Sequence, residues 1–307
     1  MIRFVAARAG GAAAVLAAIS LFVAFGIRLT GDPAVVLFQG AAPSAEDIKR
    51  IQHALGTDRP FLAQYAGFVA AALHGDLGTS FRSGQPVAGL ILERAGPTLA
   101  LGLGGMLVAL AAAFPLGAYA ATHRNALADF LIRVGSLLGL SFPNFWLAIM
   151  LILIVAVRLR WLPPSGYSGP ASLVLPCVTL GVILASTLVR LVRASLLDTL
   201  GQPYMRTARA KGLREGRVVV RHGLRNALLP VVTFVGLQFG ALLGGVVVLE
   251  NVFAWPGLGQ LALQAVTYRD YPVVQGVVVV LALGVVLVNL LVDLSYGLLN
   301  PRVRVSS

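Results

Sequence analysis

Six long apolar segments constrain what this chain can fold into. Each has roughly the 20 mostly apolar residues that a helix needs to cross the hydrocarbon core of a bilayer. In lipid the backbone must satisfy its own hydrogen bonds, so apolar runs of this length predict helices. The sequence therefore predicts an all-α integral membrane protein with six transmembrane helices. The predicted spans are residues 9–28, 98–121, 134–157, 173–194, 229–249 and 274–297.

The composition agrees with a membrane protein. Hydrophobic residues make up 58% and charged residues 12% of the 307 residues, whereas soluble domains carry about 25% charged residues. A net charge of +12 would suggest nucleic acid in a soluble protein. Basic residues also accumulate in the cytoplasmic loops of membrane proteins. We therefore expect the lipid bilayer, and no nucleic acid, as a partner.

The basic residues set the predicted orientation. They cluster before the first span and after the second, fourth and sixth spans, which share one side of the membrane if the chain crosses six times. The positive-inside rule makes that side the cytoplasm, so both termini are predicted inside. Arg158 and Arg160 depart from this bias, and Trp161 and Trp255 are predicted at the outer headgroup level. The basic residues on the predicted inner side include Arg3, Arg8, His123, Arg124, Arg133, Arg302 and Arg304.

Local signals add detail to this layout. In the polar insertion between the first two spans, Ser44 is a predicted N-cap with Asp47 in the first turn. A second short helix is predicted after Pro60. Pro143 and Pro176 lie inside the third and fourth spans and predict kinks there. The predicted parts are an N-terminal segment with the first span (1–28), an extracytoplasmic insertion (29–96), a transmembrane domain (97–299) and a cytoplasmic tail (300–307).

Small residues recur in the predicted fifth span. Gly236, Gly240 and Gly244 stand at every fourth position. Small side chains at this spacing let helix backbones approach closely. They predict packing against another span or a partner subunit.

The sequence offers little for catalysis. The string Gly-Tyr-Ser-Gly at 166–169 matches intramembrane serine proteases, but no histidine lies well inside a span to act as a base. A turn is the favoured interpretation of this Pro/Gly-rich loop. Neither Lys49 nor Lys211 stands in the Gly-Lys-Ser/Thr core of a P-loop, and Cys177 is the single cysteine. We expect no catalytic residue, no metal site and no cofactor on this chain.

An ion-coupled secondary transporter, acting without ATPase partners, is the alternative function that the residues leave open. Such transporters place ionisable side chains at mid-membrane. Here Glu250 and Asp293 lie near span ends, and Asn144 and Asn289 are the clearest amides within spans. We interpret the two asparagines as interhelical hydrogen-bonding residues.

A basic stretch between the fourth and fifth spans reads YMRTARAKGLREGRVVVRHGLRNALLP, residues 204–230. Pro203 suits the first turn of a helix, and Gly212 suits a left-handed cap at its end. These two residues bound a helix of about two turns. A second amphipathic stretch leads into the fifth span and breaks at Pro230. A short, stiff, basic helix in this place has the form of a docking element for a cytoplasmic partner.

This stretch resembles the cytoplasmic coupling loop of ABC importer permeases, and more narrowly their dipeptide/oligopeptide branch. The resemblance covers nearly the whole chain. The general coupling motif of these permeases begins Glu-Ala-Ala, whereas this chain has Arg206, Thr207 and Ala208 at the matching positions. The segment between the motif and Leu-Leu-Pro is also longer here than in the general motif. Both departures are similar to the peptide branch. Other similar strings, in chain order, are GDPA, LGTDRPFLAQY, GDLGTSF, PTLALG, ENVFAWPGLG and YRDYPVVQG.

The resemblance implies a permease subunit that forms the translocation path of an ATP-driven importer in a bacterial inner membrane. Di- or oligopeptides are the implied cargo, although similar permeases serve nickel or glutathione. The implied partners are a paralogous second permease subunit, two cytoplasmic P-loop ATPases that carry ATP and magnesium, and an extracytoplasmic substrate-binding protein. The chain itself would do no bond chemistry.

The resemblance also implies two sets of functional residues. A coupling helix would dock on the ATPases, with Gly212 as its cap and with Arg209 and Lys211 facing acidic or carbonyl groups. The segment 250–272 would re-enter or cap the external mouth, and the insertion would contact the binding protein. The coupling residues are Arg206, Thr207, Ala208, Arg209, Ala210, Lys211, Gly212 and Leu213, and the mouth residues are Glu250, Trp255, Pro256, Gly257 and Gly259.

Overall fold

The computed structural model describes residues 2–37 and 44–299, and this part of the chain is helical, with no strand beyond an isolated bridge between Thr79 and Pro86. The predicted all-α class is therefore confirmed. The predicted tail, 300–307, lies outside the described residues, as do the side-chain surroundings of Arg3, Arg8 and Asp293.

The α-helices are α1 (Ile2–Leu29), α2 (Pro33–Leu37), α3 (Ala45–Leu55), α4 (Phe61–Leu73), α5 (Val87–Thr122), α6 (Leu127–Ser141), α7 (Asn144–Leu151), α8 (Pro170–Leu200), α9 (Pro203–Ala210), α10 (Glu215–Arg217), α11 (Arg225–Gly245), α12 (Val247–Val252), α13 (Leu258–Thr267) and α14 (Tyr271–Leu299). Two π-helical segments, Ile152–Arg158 and Val218–Leu224, extend α7 and lead into α11.

Four helical segments are long and apolar enough to cross a membrane: Gly10–Leu29, Val87–Thr122, Pro170–Leu200 and Tyr271–Leu291. They coincide with the predicted first, second, fourth and sixth spans. Two bent pairs raise the number to as many as six if each pair is one span. The first pair, Leu127–Ser141 with Asn144–Arg158, covers the predicted third span. In the second pair, Pro230–Gly240 lies within the predicted fifth span and Glu215–Leu228 precedes it.

The third predicted span is not the kinked helix over 134–157 that the sequence suggested. Its first half begins at Leu127, inside the predicted loop, and α6 meets α7 at 102°. Phe142 (ψ 133°) and Pro143 (ψ 140°) are both extended. Proline lacks the N–H that the helical ladder needs, and its ring disfavours helical geometry in the preceding residue. Pro176, by contrast, lies inside the continuous helix α8.

Part of the predicted insertion is continuous with the helix of the second predicted span. Helix α5 begins at Val87, so the last part of the predicted 29–96 segment belongs to this long helix. Within the insertion, the prediction for Ser44 is confirmed. Its Oγ accepts a hydrogen bond from the Asp47 N–H at 3.2 Å, and the Asp47 carboxylate bonds back to Ser44. These bonds hold the pKa of Asp47 below its ordinary value. The helix predicted after Pro60 is α4.

The described residues form two compact units, and each has its own core. The first contains the residues up to Thr98 together with Pro256–Val286. Its core joins α5, α13 and α14 through apolar side chains such as Val87, Leu258 and Val277.

The second unit contains Leu99–Trp255 and the described residues from Leu287. Helix α8 lies at the centre of this unit. Of its most apolar stretch, 67% is buried, and α6, α7 and α11 all pack on it. The core includes Leu188, Phe253 and Trp255.

Small residues let the helices of the second unit pack closely. A Cβ added at Gly181 would lie 2.5 Å from Val108 Cγ1, and one at Gly117 would lie 2.9 Å from the Val189 carbonyl oxygen. A Cβ at Gly139 would collide with the Ser186 hydroxyl. These contacts fix α5 and α6 against α8. The close packing predicted at Gly236, Gly240 and Gly244 stays a prediction.

Candidate functional site

Helix α9 is the centre of the predicted coupling region. It begins at Pro203, after Gln202 in extended geometry, and ends at Ala210. Gly212 has φ +73° and its N–H donates to the Arg209 carbonyl at 2.9 Å. The predicted start and left-handed glycine are therefore confirmed. Of the eight predicted coupling residues, those from Arg206 to Ala210 lie in the helix, while Lys211, Gly212 and Leu213 follow it because the positive φ ends the helical ladder.

The inner face of α9 is fixed to the second unit. Met205 is fully buried and Ala208 is 8% exposed, and they cluster with Val218. Leu200 and Leu213 pack on this cluster. Positions three apart share one helix face, so the opposite face is left open. The exposed residues there are Arg206, Thr207, Arg209, Ala210, Lys211 and Gly212.

The segment after α9 ties this helix to two long helices. A Cβ at Gly223 would lie 3.1 Å from Leu196 Cδ1 and 3.4 Å from Met205 Cε, so the π-helical segment passes close to both. The Ser195 hydroxyl on α8 donates to the Ala227 carbonyl on α11 at 2.9 Å. Helix α9 therefore rests on the end of α8 and the start of α11.

Arg209 has an ion-pair partner within this chain. Its guanidinium donates to Glu215 of this same chain, with Nη2–Oε1 at 2.8 Å and Nε–Oε2 at 3.1 Å. These hydrogen bonds raise the pKa of Arg209 above its ordinary value. Arg209 is thus already paired within the chain, because Glu215 at the start of α10 faces it across the turn. Lys211 is exposed at the same turn.

The predicted mouth residues are placed in the interiors of their units. Glu250 and Trp255 are fully buried in the second unit, where Trp255 meets Tyr167 edge to face at a centroid distance of 5.0 Å. Positive φ at Ala254 (48°) turns the chain and packs the Trp255 indole into the core of this unit, and its predicted position at the outer headgroup level stays a prediction. Trp161 is 74% exposed.

The predicted helix break in this segment is confirmed. Helix α12 ends at Val252 and α13 begins at Leu258. In the first unit, Pro256 is partly buried, and Gly257 and Gly259 are buried. The Leu258 N–H donates to Thr98 Oγ1 at 2.8 Å.

A buried ion pair is the feature that sequence reasoning missed. Asp129 on α6 is fully buried and accepts from Arg193 on α8, with Nε–Oδ1 at 2.6 Å and Nη2–Oδ2 at 2.9 Å. The Asn125 N–H donates to the same carboxylate at 3.1 Å. Arg193 lies inside the predicted fourth span, 173–194. A cation within an apolar run is itself the signal, since such residues pair inside the protein.

A second carboxylate organises the first unit. Asp270 is 4% exposed and accepts from the Ser80 hydroxyl at 2.5 Å and the Phe81 N–H at 3.0 Å. The Arg82 guanidinium lies 3.5 Å from the centroid of the Tyr268 ring. The strings GDLGTSF and YRDYPVVQG therefore meet, and the end of the insertion is fixed beside the start of α14.

No metal or protease site takes shape in the described part of the chain. No three His, Cys, Asp or Glu side chains are grouped there so as to hold a metal ion. The string at 166–169 is a loop with Gly166 and Gly169 at positive φ, and the Ser168 N–H donates to the Ser172 hydroxyl. The interpretation of this string as a turn is confirmed.

The fold is that of ABC transporter membrane subunits. The structure superposes on a chain of the MetNI methionine ABC transporter, solved in an inward-facing form, with a TM-score of 0.59 and 21% identity; the match covers 69% of this chain and 96% of that one. A chain from a crystal structure of an amino acid ABC transporter with histidines gives a TM-score of 0.51 at 14% identity, over 67% of this chain and 92% of that one.

The family follows from the sequence comparison. Residues 113–305 match the binding-protein-dependent transport system inner membrane component family, and residues 1–102 match the N-terminal family of the same membrane components. The chain belongs to this family of binding-protein-dependent transport system inner membrane components. It is a permease subunit of an ABC importer, of the dipeptide/oligopeptide branch. This decides against the ion-coupled alternative and agrees with a non-catalytic role.

Curated relatives match the chain almost from end to end. A glutathione transport system permease protein, GsiC, from Escherichia coli O6:H1 (strain CFT073) is 43% identical over 99% of both chains. The GsiC of Escherichia coli strain K12 is 42% identical over the same shares. The GsiC of Salmonella paratyphi A (strain ATCC 9150) is 45% identical over 90% of both chains.

Proposed function

We propose that this chain is one of two paralogous permease subunits of an ATP-driven importer for glutathione or short peptides in a bacterial inner membrane. Two cytoplasmic P-loop ATPases, which hold ATP and magnesium, and an extracytoplasmic binding protein complete the complex. Identity of 43% to a glutathione transport system permease over 99% of both chains supports glutathione. Glutathione is itself a tripeptide, so this cargo belongs to the peptide chemistry expected from the sequence.

The proposed topology has six spans with both termini in the cytoplasm, each bent helix pair counting as one span. It makes residues 29–96 the extracytoplasmic insertion, 97–299 the permease domain and 300–307 a cytoplasmic tail. The distribution of basic residues supports this orientation. In this topology α9 lies on the cytoplasmic side, between the fourth and fifth spans.

The geometry of α9 is the observation that carries the proposal. An eight-residue helix anchored by the buried Met205 and leaving an exposed basic face can transmit force between a docked partner and the spans. The residues Arg206–Leu213 form the proposed docking element. Since Arg209 is paired with Glu215, Arg206 and Lys211 are the cations proposed to meet acidic or carbonyl groups on the ATPase.

The segment 250–272 is the proposed external closure. Glu250 and Trp255 are buried in the second unit, and Gly257 and Gly259 are buried in the first. The break between α12 and α13 supplies the irregular backbone that such a cap needs. Opening would then require Trp255 to leave its contact with Tyr167.

The test is purification through a tag on this chain from native membranes in mild detergent, with every co-purifying chain identified. We expect a second permease and P-loop ATPases. The purified complex is then reconstituted in vesicles and supplied with its binding protein and radiolabelled glutathione. ATP-dependent uptake supports the proposal. A chain that purifies alone and moves glutathione only with an ion gradient would refute it.

A further inference from the structure

We propose that Asp129 and Arg193 are a positioning pair, which makes the cytoplasmic half of α6 follow α8 when the coupling helix moves. This inference rests on the proposed function. In this proposal the Asp129–Arg193 contact transmits the ATP-driven movement of the coupling helix to α6. The contact lies outside both the docking helix and the external cap.

The pair has the geometry of a rigid joint. Two roughly parallel hydrogen bonds connect the fork of Arg193 to both oxygens of Asp129, at 2.6 and 2.9 Å. Two-point contacts of this kind fix orientation as well as distance. The Asp129 carboxylate has no exposed surface, and the Arg193 side chain is 18% exposed. Breaking a buried pair leaves an uncompensated charge, so the joint stays closed during motions that would break a surface contact.

The pair also lies on the path from α9 into the spans. Arg193, Leu196 and Leu200 stand at positions i, i+3 and i+7 of α8, so they share one face of the helix. Leu196 and Leu200 are in contact distance of the Gly223 position, and Leu200 packs on the Met205 cluster. A displacement of α9 therefore reaches α8 about one to two turns from Arg193.

A second contact keeps α6 and α8 together further along. Gly139 on α6 lies against Ser186 on α8, ten residues after Asp129 on one helix and seven before Arg193 on the other. The two helices are thus antiparallel and joined at two points. Helix α6 has to move with α8 as one body, up to the bend at Phe142 and Pro143.

The first experiment measures coupling in the complex purified through this chain and placed in lipid nanodiscs. The rate of ATP hydrolysis is compared with and without the binding protein loaded with glutathione. We expect Asp129→Asn to lower this stimulation at least about fivefold, the lower end of typical coupling between sites. Arg193→Lys, which keeps the charge but loses the fork, should give a smaller loss.

Arg133→Gln is the matched control. Arg133 lies 3.5 Å from the same carboxylate, but its side chain is 47% exposed, so it adds charge without the buried joint. The stimulation of ATP hydrolysis in Arg133→Gln should equal that of the wild type. Wild-type stimulation in both Asp129→Asn and Arg193→Lys, or an equal loss in Arg133→Gln, would overturn the proposal. If the complex with Asp129→Asn does not assemble, the stimulation of ATP hydrolysis in Arg193→Lys alone decides the test, and wild-type stimulation there overturns the proposal.

A second measurement does not depend on the cargo. Spin labels at Ser141→Cys and Gly216→Cys, in a Cys177→Ser background, report the distance between the end of α6 and the coupling segment. We expect the wild-type distance to be the same without nucleotide and with ATP and vanadate, and to change with nucleotide in Asp129→Asn. A wild-type distance that changes overturns the proposal. Absence of co-purifying ATPases is a different failure, since it refutes the proposed function.

Discussion

Arg209 and Glu215 close the turn around Gly212, with the Arg209 Nη2 atom 2.8 Å from the Glu215 Oε1 atom. The pair joins the end of α9 to the start of α10. Both side chains are substantially exposed, at 40% and 60%, so the pair adds little to the stability of the fold. Its effect is on the geometry of one turn.

A double-mutant cycle tests whether these residues act as a pair. We expect Arg209→Gln and Glu215→Gln to reduce ATP-driven uptake by similar factors, and the double variant to be no worse than either, because each change opens the same turn. Uptake into reconstituted vesicles is the measurement. A much larger loss in Arg209→Gln than in Glu215→Gln would show instead that Arg209 binds the ATPase directly.

Gly212 should tolerate substitutions according to backbone conformation and not size alone. Its φ is +73°, and an added Cβ would meet nothing within 4 Å. In the left-handed region of backbone conformation, a residue other than glycine is destabilised by about 1–2 kcal/mol, and asparagine is affected least. We therefore expect uptake to fall in the order Gly, Asn, Ala, Val, and Gly212→Trp to uncouple transport while the spans stay inserted.

The control for Gly212 is Gly216→Ala, a helical position where a Cβ also meets nothing within 4 Å. It should behave as wild type in the same uptake assay. Normal uptake by a stably inserted Gly212→Trp variant would contradict the assignment of this turn to coupling.

Met205 should hold α9 in place. It is fully buried, and truncation of a buried methionine to alanine costs about 2–5 kcal/mol. We expect Met205→Ala to release α9 and speed trypsin cleavage after Arg206 and Lys211 in inverted membrane vesicles. Thr207→Ala, at an exposed position of the same helix, is the control, and equal cleavage rates in the two variants would count against the anchor.

Gly139 should be replaceable only with a compensating change. A Cβ there collides with the Ser186 hydroxyl, and overpacking of this kind costs about 1–3 kcal/mol. Gly139→Ala should lower the melting temperature of the detergent-solubilised protein, and Ser186→Gly should restore part of it. Gly135→Ala, where nothing lies within 4 Å, should melt as wild type. No shift in Gly139→Ala would mean that α6 and α8 are less closely packed.

Asp270 should stabilise the end of the insertion. Hydrogen bonds to a charged acceptor contribute about 1.5–3 kcal/mol each. Asn keeps only one acceptor oxygen and is neutral, so it cannot reproduce the contacts of the two carboxylate oxygens with the Ser80 hydroxyl and the Phe81 N–H. We expect Asp270→Asn to accelerate trypsin cleavage after Arg82 from the extracytoplasmic side. The exposed Asp76 accepts from the Gly78 N–H, and Asp76→Asn is the comparison. Cleavage that is equally slow in both would contradict the proposed role.

Much of the fold could be predicted because lipid allows few backbone solutions. Apolar length alone located α1, α5, α8 and α14. Backbone chemistry located the bounds of α9, since the ring of Pro203 fixes φ near its helical value and Gly212 permits the positive φ that ends the helix. The Ser44 cap followed from the same kind of local rule.

The misses depend on tertiary contacts. The pattern shows that Pro143 interrupts a helix, but not that the two halves turn by 102°. The sequence also does not show that the turn at Ala254 packs the Trp255 side chain into the core. The Asp129–Arg193 pair joins residues 64 positions apart, so only the packing of α6 on α8 brings them together.

The bend at Phe142 and Pro143 limits what can surround this chain. At about 1.5 Å per residue, α6 and the α7 segment are each about 22 Å long, shorter than the roughly 30 Å hydrocarbon core. Ser141, Phe142, Pro143 and Asn144 are all exposed on the isolated subunit, and acyl chains cannot solvate an interrupted helical backbone. The subunit therefore has a side that is incompatible with lipid, and in the assembled transporter that side has to face protein or water.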